Sequence, residues 1–411
     1  MTIAKFSYNL IRSYVGLKLK ISRRRTTVDS TIPYTNENIT SFIEALDELT
    51  DPRDNRGKRH SLSFVISSVI LAILAGRSRV SIIFRYIRNK IEWLREVTQI
   101  HDASPICRAH LPRLLERLNW TELNDLIEKH FGVHVEVRNN QEWVALDGKT
   151  LKGTVKSGNK QAAVFAVTHE SRTLLAQAKM MGPKSSEIPV VRQLLKDSGL
   201  DKGKVTLDAH HCNPKTTTQI NQAGGTYLIQ IKENQPVLLE QCKMLCAKGI
   251  KLGSDSTTEK GHGRITTRQA MLFSMNTLNF DSRWDKSGLQ TLVVVDRETF
   301  DMRKEKTSYE RAYYITNKEV ENNSQDTSKE LARAIRKHWG VESDNWIRDV
   351  TLNEDKIKTK SGNQAQIMSS LRSLAMRLLR KSGVKNFQEA IENFSDSVGI
   401  FEAMLRRMRF L

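Results

Sequence analysis

Apolar residues recur at the three- and four-residue spacing of α-helices through residues 36–135. Ile43, Leu46 and Leu49 follow this spacing, and an almost wholly apolar run comes next at residues 62–75. The run is shorter than the roughly 20 residues that a membrane span needs, so it predicts a buried helix and no membrane partner. Residues 36–135 are therefore predicted to form a helical N-terminal domain.

A polar turn rich in cations, residues 51–60, interrupts these helices. Its Gly, Pro, Asp and Asn content is typical of an exposed loop. A solvated loop and a loop that contacts phosphate both fit this composition.

The spacing changes to the two-residue period of strands after a hydrophilic link at residues 138–141. Three strands, a helix, a strand, a helix and a strand are predicted in turn, over 143–146, 162–168, 173–180, 188–195, 204–207, 215–222 and 227–231. A helix at 236–247 then leads to β-rich sequence, over 264–273, 289–297 and 311–315. Helical spacing returns at 331–347 and 363–380.

This order of elements predicts an α/β core, a mixed sheet flanked by helices, over residues 140–250 and 325–385. A β-rich insertion at 251–320 separates the two halves of the core. A basic arm at 1–35 precedes the helical domain, and a basic helical tail at 386–411 ends the chain.

The chain has 411 residues, a formal net charge of +19 and a pI near 9.8. Such an excess of cations usually serves a polyanion, most often nucleic acid or an anionic membrane surface. Residues 1–28 contain no acid, and basic residues outnumber acidic ones from Lys356 onward. The arm resembles an organelle transit peptide in composition, but a DNA-contacting or disordered arm is the favoured interpretation.

The cysteines are too sparse for a disulfide framework, which indicates a reducing cytoplasm. Cys242 and Cys246 lie one helical turn apart, but the sequence has no second Cys or His pair with zinc-like spacing beside them. We therefore expect Cys242 and Cys246 to be buried free thiols, and the protein to be cytoplasmic and nucleoid-associated.

Two aspartates follow apolar runs that predict strands. Asp147 comes directly after residues 143–146, and Asp208 comes directly after residues 205–207. A carboxylate at the mouth of a buried strand is destabilising unless a cation or a donor meets it there. Because Gly148 lets a ligand approach the backbone closely, we expect the two strands to deliver their acids to a shared ligand site.

A third acid, Glu342, lies on the helix predicted after the insertion. Helical spacing puts Trp339 and Trp346 close to its face, so Glu342 is predicted to point inward among large apolar rings. A buried carboxylate there is either neutralised by an arginine, for which Arg336 and Arg348 are candidates, or bound to a cation.

The three carboxylates are hard oxygen donors, which suit Mg²⁺ or Mn²⁺ better than zinc. Two such ions about 3.5–4 Å apart can activate a water and stabilise the leaving oxygen of a phosphodiester. Asp147, Asp208 and Glu342 are therefore predicted to be both metal ligands and catalytic residues, with two ions per site.

Five ordered segments resemble the H-repeat-associated group of bacterial insertion-sequence DDE transposases, and the resemblance covers residues 36–385. The segments read WVALDGKTLKG at 143–153, LDA at 207–209, KENQP at 232–236, EKGHGR at 259–264 and HWGVE at 338–342. Asp349 with Val350, and Glu354 with Asp355, follow as in that group. One segment alone is weak evidence, whereas the ordered series is highly specific.

The resemblance implies an RNase H-like fold interrupted by a β-rich insertion, with Asp147, Asp208 and Glu342 as the catalytic triad. It implies cleavage at transposon ends by metal-activated water, followed by attack of the freed 3′-OH on target DNA. The implied partners are terminal inverted repeats and target DNA, bound by a homodimer. The helical N-terminal domain would then serve DNA binding or dimerisation.

Two segments depart from the group. The group usually shows Glu-Asn-x-Leu-His-Trp after its glutamate, whereas residues 343–346 are one residue shorter and lack that His. A deletion of one residue turns the following helix by about 100°, which affects the equivalence of Trp346 and Asp349. Residues 356–360 carry Lys in place of the group's Arg, so they keep charge but lose the bidentate phosphate fork.

Further residues of these segments are predicted to support the acids or to bind DNA. His210 either orients a ligand or is an exposed loop histidine, and His338 and Trp339 are predicted to support the acids from outside the ligand set. The lysines and arginines would also fit a solvated surface without DNA. Asn234 and Gln235 would also fit a cap for the helix that follows them. The predicted DNA contacts are Lys149, Lys152, Lys232, Asn234, Gln235, His262, Arg264, Arg333, Arg336 and Lys337.

Two rival functions fit the same residues. A transposase-derived DNA-binding protein would bind end DNA without metal and give no cleavage product. An RNase H-like nuclease without strand transfer would cleave DNA but give no joined product with a target plasmid.

Overall fold

A computed structural model describes residues 41–131, 142–152, 154, 161–181, 187–321, 324–356, 359 and 361–411. The predicted basic arm at 1–35 and the link at 138–141 lie outside the described residues. Of the two segments that depart from the family pattern, residues 343–346 are described throughout and residues 356–360 only in part.

The N-terminal region is helical, as predicted. Ser41 caps the first helix with a capping box, and Ser61 caps the second by accepting from the backbone N–H of Phe64. Within the described residues, no helix is long and apolar enough to cross a membrane. The helices are α1 Phe42–Ala45, α2 Leu62–Leu74, α3 Val80–Asn89, α4 Ile91–Thr98, α5 His110–Arg117 and α6 Trp120–Phe131.

Every residue of α2 is buried, which confirms the buried helix predicted from its apolar run. The surrounding core includes Phe42, Leu111 and Leu115, so the apolar faces of the other helices close around α2.

A mixed sheet follows in the predicted order of three strands, helix, strand, helix, strand. Its elements are β1 Trp143–Leu151, β2 Gln161–Thr168, β3 Leu174–Met181, α7 Glu187–Asp197, β4 Lys204–Leu207, α8 Pro214–Gln222 and β5 Thr226–Ile231. Strands β1, β4 and β5 pair in parallel, while β2 and β3 run antiparallel at one edge. This is the RNase H-like fold that the sequence resemblance implies.

The β-rich insertion extends this sheet and does not form a separate layer. Strand β9 pairs antiparallel with β5, which gives a nine-stranded order β3-β2-β1-β4-β5-β9-β8-β7-β6. The parallel edge that β5 would otherwise expose is thereby covered. The added elements are α9 Pro236–Lys248, β6 Lys251–Gly261, β7 Arg264–Ser274, β8 Thr291–Asp301 and β9 Lys306–Thr316.

The single helix predicted at 331–347 is two helices. It breaks at Trp339, and a π-helical turn, Ile347–Thr351, follows the second piece. The C-terminal elements are α10 Gln325–His338, α11 Gly340–Trp346, α12 Gly362–Lys381, α13 Phe387–Asp396 and α14 Val398–Arg407.

The C-terminal helices belong to the same core as the N-terminal ones. Leu371 of α12, Phe401 of α14 and Phe410 are buried in the cluster that surrounds α2. The backbone N–H of Phe42 donates to the carbonyl of Arg409 at 3.3 Å. Residues 386–411 are therefore packed structure, although the sequence describes them as a basic tail.

The prediction of buried thiols is confirmed for Cys242 and wrong for Cys246. Cys212 and Cys242 are buried, Cys246 is half-buried and Cys107 is exposed. Burial raises the pKa of Cys212 and of Cys242 to about 12, so these thiols remain protonated at neutral pH.

Candidate active site

Asp147 and Asp208 lie side by side on neighbouring strands. The parallel register pairs Ala145 with Thr206, and continuing it by two residues sets Asp147 beside Asp208. Only Asp208 follows the end of its strand, because β1 continues to Leu151 while β4 stops at Leu207. The prediction that both acids end strands is wrong for Asp147, which occupies the middle of β1 where β4 leaves it.

The Asp147 carboxyl group is crowded by like charges. Its pKa is raised to about 6, mainly by burial and also by the negative charges of Asp208, Glu187 and Glu342. Asn345 Nδ2 donates to Asp147 Oδ2 at 3.0 Å, so the segment that departs from the family pattern supplies a donor to the first acid. The three predicted acids are thus close enough to interact electrostatically.

Glu342 is exposed, and the prediction that it points inward among large rings is wrong. Trp339 and Trp346 are 43% and 60% exposed. The spacing argument assumed one straight helix, and the break at Trp339 removes that continuity. Burial and the charge of Asp208 raise the pKa of Glu342, while the charge of Lys232 opposes them.

Neither arginine proposed as a partner for Glu342 pairs with it. Arg336 Nη2 lies 3.2 Å from Glu259 Oε2. Arg348 is buried, donates to Ser373 Oγ at 2.7 Å and stacks over the Phe165 ring. The exposed carboxylate of Glu342 is therefore left to face the same space as the two aspartates.

Helix α11, which carries Glu342, is fixed by a buried ion pair that the sequence did not reveal. Asp344 is 3% exposed and accepts from Arg172 at 2.5 Å and from Arg380. Arg172 also donates to the carbonyl of Gly340, and a Cβ at Gly340 would lie 1.5 Å from its guanidinium. The glycine of the HWGVE segment therefore makes room for the arginine that anchors the helix.

His338 anchors the end of α10 to β4. Its Nδ1 lies 2.9 Å from Thr206 Oγ1, and the same hydroxyl lies 2.9 Å from His169 Nε2. Burial lowers the pKa of His338 to about 4 and that of His169 to about 3. Both rings are neutral at pH 7. Thr206 lies two residues before Asp208, so this link joins α10, the helix that precedes α11, to the strand that leads to the second acid.

A fourth carboxylate, Glu187, lies beside the two aspartates. It is buried, and its Oε1 lies 3.1 Å from His211 Nε2, which is itself 3.8 Å from Asp208 Oδ1. A Cβ at Gly148 would lie 2.4 Å from the Glu187 carboxyl carbon. Sequence reasoning missed Glu187, because it begins α7 and is separated along the chain from both aspartates.

Lys149 is internal, which corrects its prediction as a phosphate contact. Its side chain is 6% exposed, and Nζ lies 2.5 Å from Asp349, 3.5 Å from Glu354 and 3.6 Å from Asp355. A buried ammonium held by three carboxylates is not available to DNA. Asp349, Glu354 and Asp355, which follow Glu342 in the family pattern, thus hold Lys149.

Lys152, in contrast, is 68% exposed and donates to Asp355 Oδ2 at 2.7 Å. Of Lys149 and Lys152, therefore, only Lys152 reaches solvent.

The loop after Asp208 is held by the KENQP segment. Asn234 Nδ2 donates to the carbonyl of Ala209 at 2.7 Å, and Gln235 Nε2 donates to that of Cys212 at 2.9 Å. Gln235 is the N-cap residue of α9, yet its side chain makes no capping bond. These amides support the Asp208 loop and are not helix caps.

His210 is partly buried at the same loop. Its backbone N–H donates to Asp208 Oδ1 at 3.0 Å, and its ring Nε2 is buried without a hydrogen-bond partner among the described residues.

A groove of about 950 Å³ runs between α10 and the insertion strands. Lys232 and Trp339 line it, so it begins beside Glu342. Its α10 wall carries ion pairs: Arg333 lies 2.7 Å from Glu170, with Lys337 on the same carboxylate, while Arg336 and Arg268 share Glu259. These cations therefore project on one face, as the sequence spacing predicts, but each already has a carboxylate partner.

His262 and Arg264 lie at the tip of the β6–β7 hairpin. His262 and Gly263 both have positive φ, 50° and 74°, the turn geometry that matches the twist of paired strands. Arg264 Nε lies 3.4 Å from Asp301, and both side chains are otherwise exposed.

The donor set suits a divalent hard cation. Asp147, Asp208 and Glu342 offer carboxylate oxygens whose mutual repulsion a cation would relieve. In the described part of the chain, no group of three His, Cys, Asp or Glu side chains is arranged to hold an ion as placed. Asp208 is 48% exposed and Glu342 is exposed, so solvent and ions can reach both carboxylates.

Comparison with known proteins gives matches along most of the chain. A family model described as "Transposase DDE domain" matches residues 138–378, more than half of the sequence, and one described as "DDE_Tnp_1-associated" matches residues 43–131. "Putative transposase YncI" of Escherichia coli O157:H7 is 28% identical over 369 residues, covering 86% of this chain and 92% of that protein. "H repeat-associated putative transposase YhhI" of Escherichia coli K12 is 25% identical over 354 residues, covering 84% and 91%.

Proposed function

This chain belongs to the DDE transposase family, as its motifs predict, and from that premise we propose that it is an active DNA transposase. Asp147, Asp208 and Glu342 are its catalytic residues in this proposal. The observation that supports the assignment is the parallel register that sets Asp147 beside Asp208. The charges of Asp208 and Glu342 also help burial to raise the pKa of Asp147. Structural carboxylates of this chain, such as Asp344, are instead paired with arginine.

The three carboxylates would hold two Mg²⁺ or Mn²⁺ ions, which when bound supply an activated water and neutralise charge on the leaving oxygen. The protein's own part is to position the ligands. Asn345 fixes the side chain of Asp147, His338 ties α10 to β4, and the amides of the KENQP segment hold the loop after Asp208.

The reaction has two steps of the same kind. Water attacks a phosphodiester at each transposon end, which breaks a P–O bond and frees a 3′-OH. That 3′-OH then attacks a phosphodiester of target DNA, forming one P–O bond and releasing a 3′-OH of the target. Both are in-line displacements at phosphorus, so one set of carboxylates serves both.

DNA lies along the basic groove beside Glu342 in this proposal. Lys232, Arg333, Arg336 and Lys337 contact phosphates. The last three exchange their carboxylate partners, Glu170 and Glu259, for the DNA backbone. Lys152, Asn234, Gln235, His262 and Arg264 remain proposed contacts, with Asn234 and Gln235 acting through the loop that they hold. A homodimer binds the two terminal inverted repeats and the target together.

A joining assay tests this function. Purified protein, labelled terminal-inverted-repeat DNA and a target plasmid are incubated with Mg²⁺, and the labelled strand is followed. Label transferred to the plasmid is the expected result. Cleaved ends without joined product would instead identify a nuclease, and metal-independent binding without cleavage would identify a DNA-binding protein derived from a transposase.

A further inference from the structure

A second cationic cleft lies in the N-terminal helical region, outside the catalytic groove. The loop at residues 51–60 faces α5 across a volume of about 1050 Å³. Arg56 and Arg59 line it from the loop, and Arg113 and Arg117 line it from the helix. We propose that these four arginines, the arginine cleft, bind the sugar-phosphate backbone of duplex DNA.

The loop is braced before any ligand arrives. Arg53 pairs with Asp51 at 2.7 Å and donates to the carbonyl of His60 at 2.7 Å. His60 Nδ1 in turn lies 2.9 Å from Ser104 Oγ, which ties the loop to the segment before α5. Arg53 therefore holds the shape of the loop, and the backbone that carries Arg56 and Arg59 is braced with it.

The four arginines of the cleft lack carboxylate partners. All four side chains are exposed, and across the described residues no ion pair involves any of them. The catalytic groove differs in this respect, since Arg333 and Arg336 are each paired with a glutamate. Burial lowers the pKa of His60, and the charges of Arg53 and Arg59 lower it further, as a cationic surrounding requires.

The helix side of the cleft matches the spacing of a phosphate strand. His110, Arg113 and Arg117 follow three- and four-residue spacing, so they share one face of α5. They span about 10 Å of helix at 1.5 Å per residue. A DNA strand presents roughly three phosphates over that length, since its charges are about 3.4 Å apart along the axis.

The cleft is rigidly connected to the catalytic sheet. Asn363, at the start of α12, donates to the carbonyls of Glu116 and Leu118 at the end of α5, at 2.6 and 2.9 Å. The same side chain accepts from Lys179 of β3 at 3.0 Å. DNA bound in the cleft would thus be held in a fixed relation to the sheet that carries Asp147.

A duplex fits these observations better than a small anion. Four guanidinium groups on two facing walls exceed what one phosphate can satisfy, whereas a backbone offers a separate phosphate to each. The inference rests on the proposed function, because it takes the transposase's DNA substrate as the ligand. It adds a sequence-independent contact outside the catalytic groove, which fixes the position of the DNA without reading its bases.

Salt-dependent DNA binding by the full chain tests the cleft. Replacing Arg113→Gln and Arg117→Gln together should make the slope of log affinity against log salt less steep by about 2, since each phosphate contact contributes about 0.9. Arg85→Gln with Lys90→Gln removes the same charge from exposed positions that do not line the cleft and should leave the slope nearly unchanged. Equal effects of the two double variants would overturn the proposal.

Cys107 provides a second readout that does not depend on these substitutions. It lines the cleft and is the exposed thiol, while Cys212 and Cys242 are buried. Duplex DNA should slow maleimide modification of Cys107, and Arg56→Gln with Arg59→Gln should restore the rate. An unchanged rate with DNA, or equal protection by inorganic phosphate at the same phosphate concentration, would overturn the duplex assignment.

The two proposals fail in different ways. Normal metal-dependent joining with unchanged salt slopes in both cleft variants would remove the cleft and keep the transposase. Loss of salt slope in the cleft variants with no cleavage under any divalent ion would keep the cleft and remove the catalytic assignment.

Discussion

Replacing Lys149 by methionine should destabilise the protein severely, although the residue carries a charge next to a candidate active site. Its ammonium is held by Asp349, Glu354 and Asp355, and its side chain is 6% exposed. Methionine keeps the length of the side chain and removes the charge. Three carboxylates, one of them only 4% exposed, then lose their shared cation.

The magnitude follows from what is left behind. Removing one partner of a buried ion pair costs about 3–5 kcal/mol, because the other charge stays buried and uncompensated. Lys152 is the matched control, since it is the same residue type, shares Asp355 and is 68% exposed. An exposed pair contributes at most about 1 kcal/mol, so Lys152→Met should have little effect on the free energy of unfolding.

Urea unfolding of the two variants and the parent protein measures the difference. We expect a much lower midpoint for Lys149→Met and a nearly unchanged one for Lys152→Met. Adding Asp349→Asn to Lys149→Met should recover part of the loss, because one uncompensated charge is removed. Equal midpoints for the two lysine variants, with weaker DNA binding by Lys149→Met, would refute the internal role and restore the phosphate contact.

Three further predictions concern the acids and their supports. Because the folded-state pKa of Asp147 is raised to about 6 from 3.8, its ionisation destabilises the metal-free protein. Asp147→Asn should match the parent's melting temperature below about pH 4, exceed it increasingly between about pH 4 and 6, and exceed it by a constant amount above that range. Gly148→Ala should displace Glu187, because the added Cβ would lie 2.4 Å from its carboxyl carbon, and should therefore lower cleavage. Gly148→Ser adds the same Cβ and should lower cleavage at least as much. Thr206→Val breaks the link to His338 and should lower metal-dependent cleavage about 10–100-fold with unchanged DNA affinity; unchanged cleavage would contradict the positioning role.

The order of strands and helices was predictable because it rests on local spacing. The three strands before α7 and the two after it have apolar runs whose period identifies them one by one. The end of β1 was missed because Asp147, Gly148 and Lys149 interrupt that run with polar residues. Pairing with β2, through Asp147 opposite Phe165, carries the strand past them to Leu151.

The environment of Glu342 was not predictable from helical spacing. The break at Trp339 depends on contacts from distant segments, chiefly Arg172 from the β2–β3 turn and Arg380 from α12. Glu187 was missed for the same reason, since only the folded sheet brings α7 against Gly148. Residue types and order thus predicted the three acids, while their supports depend on contacts between segments far apart in the chain.

The most direct test of the account is cleavage of labelled terminal-inverted-repeat DNA with Mg²⁺ by the parent protein and by Asp147→Asn, Asp208→Asn and Glu342→Gln. Each substitution keeps the size of the side chain and removes one carboxylate. The account predicts metal-dependent nicking at the transposon end by the parent and its loss in all three variants, with DNA binding retained. Full cleavage by any one of the three variants would contradict it.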